Sequence, residues 1–90
     1  MTSHKTIGVL GGMGPEASSN LYAKIIQYAQ HEYGAVQDFD YPPIIIYSLP
    51  LKGFDETGIV DETLVKQQLI TGVQRLESSG CDLTIIGCNT

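Results

Sequence analysis

A chain of 90 residues has room for one small domain and lies near the lower end of the sizes at which a single core outweighs chain entropy. Its 42% hydrophobic residues and 10 glycines are those of an ordinary soluble α/β protein, which excludes disordered and collagen-like classes. Ten acidic side chains against five basic ones leave a net charge of −5, so there is no basic footprint for a phosphate backbone and nucleic acid is set aside as a partner.

Residues 1–5 are polar, and the apolar run that follows covers only Ile7 to Leu10. That is far short of a signal segment or a membrane span, so the expectation is a cytoplasmic protein without membrane contact. Residues 6–10 (TIGVL), closed by Gly11 and Gly12, read as a buried parallel strand running into a tight turn. Pro15 suits the first turn of a helix, and Leu21, Tyr22, Ile25, Ile26 and Ala29 recur at helical spacing to about residue 30. After a mixed connection over 31–43, the run 43–48 (PIIIYS) is β-branched and apolar on both faces, a second strand.

Residues 49–60 contain Pro50, Gly53 and Gly58 and read as a loop of functional length. Asp61 is an N-cap for a second helix over 61–79, with Leu64, Val65, Leu69, Val73 and Leu76 as its apolar stripe and Gly80 as the stop. Residues 83–87 form a third short apolar strand. No repeat, low-complexity tract or linker divides the chain.

Strand-helix-strand-helix-strand predicts an α/β fold: a three-stranded parallel sheet in the order 2-1-3, with helices on both faces. Two helices cannot cover three strands that are apolar on both sides, and the outer strands keep open edges. Residues 1–90 are therefore expected to be an incomplete N-terminal domain, the front piece of a longer α/β chain. The competing reading is a non-catalytic module that self-associates through those edges; a homo-oligomer is expected, and the oligomeric state discriminates that reading.

The stretch GGMGPEA, residues 11–17, fits G-x-G-x-x-A from Gly12, directly after the first strand. A dinucleotide site also wants an acid at the end of the second strand, where Tyr47, Ser48, Leu49 and Pro50 stand instead, and Glu16 would set a like charge beside a pyrophosphate. The glycines could simply let strand and helix pack closely. They could also expose helix N-terminal amides to a small anion such as a carboxylate. In a 2-1-3 sheet, residues 11–14, 48–52 and 88–90 converge at the carboxyl edge, in one crevice.

Cys88 follows the third strand immediately, where the amides and dipole of a following helix could stabilise its thiolate as a base or nucleophile. The bland alternative is a small buried apolar residue, and that reading suits Cys81 at the opposite end of the strand. Cα atoms of the two cysteines stand roughly 20 Å apart in an extended strand, beyond the reach of a disulfide. No metal-ligand spacing joins them to His4 or His31, and both histidines read as surface residues.

Together IGVLGGMGP, IIIYSLPLKGFDE and IIGCNT resemble the aspartate racemases of the aspartate/glutamate racemase superfamily, over nearly the whole chain. The resemblance implies two similar flavodoxin-like α/β domains with the active site between them and no pyridoxal phosphate, metal or other cofactor. It implies a small amino-acid substrate, aspartate first, whose Cα lies between two cysteines, one from each domain. Cys88 matches the first-domain cysteine; the second would come from a C-terminal part of the parent chain beyond these residues. By the same resemblance Gly12 and Met13 line the substrate pocket, and Asn89 and Thr90 bind the substrate carboxylate or orient Cys88. A cation in the loop after the second strand, often arginine in such racemases, would hold the substrate's side chain. Here the single arginine, Arg75, falls in the second helix, and the loop offers Lys52.

Overall fold

The computed structural model of the chain describes residues 5–13 and 15–88, and at Met13, Pro15, Phe54 and Cys88 it describes the backbone. Strand β1 (Ile7–Met13) leads into helix α1 (Pro15–Tyr33), and a 3-10 turn (Asp38–Asp40) precedes β2 (Ile44–Ser48). Two short strands, β3 (Phe54–Asp55) and β4 (Gly58–Ile59), come before helix α2 (Glu62–Ser78) and strand β5 (Leu83–Cys88). The main sheet has the order β2-β1-β5 and is parallel throughout, the 2-1-3 arrangement expected from the alternation of elements.

Strand β1 is central and covered on both sides: Val9 and Leu10, which point to opposite faces, are 0% and 1% exposed. On the Val9 face, α1 packs so closely that a Cβ at Gly11 would fall on the Ser18 hydroxyl, and one at Gly87 would lie 3.3 Å from Leu21. On the Leu10 face, α2 lays Gly72 against the Leu10 side chain, with Val65 and Leu76 buried beside it. Each fully buried Leu or Val contributes about 1.5–3 kcal/mol, so this central column carries much of the fold. The outer strands fare differently. Ile46 on β2 and Leu83 and Ile86 on β5 are 42%, 53% and 48% exposed, as expected for a sheet whose apolar edges two helices do not cover.

Helix α2 is bounded as its sequence prescribes. Asp61 Oδ1 accepts from the Leu64 N–H at 3.1 Å, an N-cap contributing about 1 kcal/mol. At the other end Gly80 adopts a φ of 95°, the Cys81 N–H reaches the Leu76 carbonyl at 3.1 Å and the Gly80 N–H reaches Glu77 at 3.0 Å. That is a Schellman closure, which needs a residue free to enter the left-handed region.

Apart from shifts of a single residue at other element ends, the structure departs from the sequence expectation in three places. Helix α1 continues to Tyr33 rather than about residue 30, and stops where Gly34 turns left-handed at φ 63°. Strand β1 runs on through its glycines to Met13, because both neighbouring strands supply partners there. Within the expected loop 49–60, residues 54–59 form a small antiparallel hairpin, tightened where Asp55 accepts from the N–H and hydroxyl of Thr57. The Thr57 hydroxyl, and then its N–H, hold the Asp55 carboxyl below the usual aspartate range.

Candidate active site

The carboxyl edge of the sheet is organised around a β-bulge. Leu10 pairs with Ile86 and Met13 with Cys88, so three steps along β1 match two along β5 and one extra residue is accommodated. Gly12 has a φ of 116°, and the space a Cβ would need there is filled by the backbone carbonyl of Leu49. The Leu49 N–H in turn donates to the Gly11 carbonyl at 2.8 Å. Thus the glycine end of β1 is stitched on one side to the loop after β2 and on the other to the last residue of β5. Two of the three regions expected to converge meet at Gly11, Gly12 and Leu49, and the backbone of Cys88 is paired directly to Met13, the last residue of β1.

The missing side chain at Gly12 is explained by this close backbone approach. A dinucleotide fingerprint would keep the same space for a pyrophosphate. Here it is taken by the chain itself, and β2 ends without an acid, at Ser48.

Lys52 is exposed on the loop after β2, and its backbone is held by α2. The Lys52 N–H donates to Gln68 Oε1 at 3.0 Å, and Gln68 Nε2 donates to the Lys52 carbonyl at 2.8 Å. Arg75 does not take part in this loop. Its guanidinium donates to the Tyr47 hydroxyl and lies 5.8 Å from the centre of that ring, tying α2 to the end of β2. Gln68 carried no signal in the sequence beyond being a polar residue four positions after Leu64.

The expected roles of Asn89 and Thr90 fall outside the described residues, as do Gly14, His4 and the side chains of Met13 and Cys88. Cys81 is a free thiol, half-buried, whose sulfur would lie 2.9 Å from a Cβ at Gly8, at the far end of the sheet from Cys88. Among the described residues no group of three or more His, Cys, Asp or Glu is gathered as a metal ion would require, and no helix is long and apolar enough to cross a membrane.

Several clefts indent the surface. One of about 330 Å³ runs beside Tyr47, Leu49, Gln68 and Arg75, next to the loop that carries Lys52. A wider one of about 680 Å³, lined by Tyr28, Tyr33, Phe39 and Leu83 among others, opens by Ile7 and Leu83, the first residues of their strands, away from the Gly12 turn.

The family model described as Asp/Glu/Hydantoin racemase matches residues 10–90. The chain belongs to the Asp/Glu/hydantoin racemase family. The matched span takes in Gly12, Met13, Lys52, Cys88, Asn89 and Thr90. The chain is also similar to the broad specificity amino-acid racemase RacX of Bacillus subtilis (strain 168), with 42% identity over 84 residues. That likeness covers 93% of this chain and spans 37% of the length of the racemase it matches.

Proposed function

We propose that this chain supplies one half of an amino-acid racemase active site, with Cys88 as one of two acid/base thiols and the second carried by polypeptide beyond these residues. The observation that carries the reading is the pairing of Cys88 with Met13 across the β1 bulge, beside the glycine turn, in a chain of a racemase family. Inversion at a carbon needs a base on one face and an acid on the other. The thiolate takes the Cα proton, the C–H electron pair stays on the substrate as a carboxylate-stabilised carbanion, and the opposing thiol delivers a proton to the other face. In the reverse direction the two sulfurs exchange roles, so no pyridoxal phosphate or metal is assigned.

Around that pair, Gly12 and Met13 line the pocket, while Asn89 and Thr90 hold the α-carboxylate or orient Cys88. The N-terminal end of α1 favours the same negative charge. Lys52 is assigned to the side-chain carboxylate of aspartate. The relative's broad specificity makes neutral amino acids the informative comparison.

The complete polypeptide carrying this segment is expected to erase the optical activity of L-aspartate, followed by circular dichroism, whereas the 90-residue chain alone is expected to leave it intact. Racemisation by the short chain, or a complete polypeptide inert toward aspartate, glutamate and alanine, would overturn the reading. The competing module reading draws on the exposed Ile46, Leu83 and Ile86 of the sheet edges. It predicts that neither polypeptide racemises aspartate and that the 90-residue chain runs as a multimer in light scattering.

A further inference from the structure

We propose that Gln68 is a positioning residue that sets the preference for acidic over neutral substrates by fixing the peptide on which Lys52 stands. The proposal rests on the reading of Lys52 as the cation for the substrate's side-chain carboxylate.

Gln68 spends its whole amide on this task. Its Nε2 donates both to the Lys52 carbonyl at 2.8 Å and to the Leu64 carbonyl one helical turn back at 3.0 Å, while its Oε1 accepts from the Lys52 N–H at 3.0 Å. An amide has two N–H donors, and both are engaged. The bond to Leu64 orients the side chain along α2. The other two grip both polar backbone groups of one residue, as a neighbouring strand would.

The loop is pinned on either side of Lys52. Leu49 is bonded to Gly11 in the bulge, and three residues of chain span at most about 11 Å, so the Lys52 peptide stays close to the glycine turn. Immediately after it, the Gly53 carbonyl accepts from Val60 at 2.8 Å and from Asp61 at 3.0 Å, closing off the hairpin 54–59 as a separate excursion. With its backbone already fixed, Lys52 has only side-chain freedom to lose when it meets a carboxylate. Releasing the clamp adds backbone ordering to that cost, and the penalty applies only to substrates that use the ammonium group.

The test measures kcat/KM for aspartate and for alanine in the complete polypeptide, as wild type, Gln68→Met, Lys52→Met and the double variant. Methionine keeps the length and helix preference of glutamine without its hydrogen bonds. Gln68→Met is expected to lower the aspartate-to-alanine ratio about tenfold, the equivalent of one or two lost hydrogen bonds, with the loss in KM. Lys52→Met lowers the ratio further, and the double variant matches Lys52→Met. Gln68→Glu, which keeps an acceptor for the Lys52 N–H but loses the donor to its carbonyl, falls between wild type and Gln68→Met and serves if Gln68→Met does not fold. An equal loss on both substrates, or additive losses in the double variant, overturns the proposal for Gln68. An unchanged ratio in Lys52→Met overturns the Lys52 reading as well.

Discussion

Cys88→Ala is expected to lower racemisation by the complete polypeptide about 10²- to 10⁴-fold, the usual contribution of one positioned acid/base group. The fold should survive, because residue 88 is held in β5 through main-chain pairing with Met13, which asks nothing of the side chain. Steady-state rates beside unfolding curves separate the two effects. Cys81→Ala is the matched control: its sulfur packs near Gly8 before the start of β5, and its loss should leave the rate close to wild type. Racemisation at the wild-type rate in Cys88→Ala would remove this thiol from the chemistry.

Gly12→Ala is expected to be the most damaging single-methyl change at the carboxyl edge, costing about 3 kcal/mol or more, since backbone strain and a lost hydrogen bond add. An L-residue rarely adopts a φ of 116°, and its Cβ would fall on the Leu49 carbonyl. A flexible side chain could move aside, but the Leu49 backbone can yield only by giving up its bond to Gly11. Gly80→Ala isolates the first cost. Its φ is 95°, but among the described residues no atom beyond its immediate chain neighbours lies within 4 Å of the added carbon, so about 1–2 kcal/mol is expected there. Chemical denaturation of both variants checks the difference. Equal losses would show that the contact between the two loops is not what requires glycine at residue 12.

Much of this architecture was legible in the residues themselves. The apolar runs around Val9, Ile45 and Ile85 specify parallel strands, of which the central one is buried, and the Asp61 cap and Gly80 stop bracket α2 because each answers a local backbone need that sequence expresses directly. Partner-dependent features were not legible. β1 continues through Gly11 and Gly12 to Met13 only because Leu49 and Cys88, distant in sequence, bond to it. The hairpin inside 49–60 rests on two-residue strands, too short to leave a pattern of alternation. At the carboxyl edge, Cys88 and the glycines after Leu10 stand out by residue type and place, whereas the bonds of Gln68 to the Lys52 backbone arise from where a helix face meets a loop and leave no mark on composition or spacing.

The central claim is that two opposed thiols act on one carbon, Cys88 being one of them. Its most direct measurement is the mass of both enantiomers recovered early from a reaction of L-aspartate in D2O. The account predicts one deuterium on Cα in the D-product, a recovered L-substrate that still carries protium, and loss of product labelling in Cys88→Ala. Equal early labelling of both enantiomers, or product labelling that persists at the wild-type rate without the Cys88 sulfur, would contradict it.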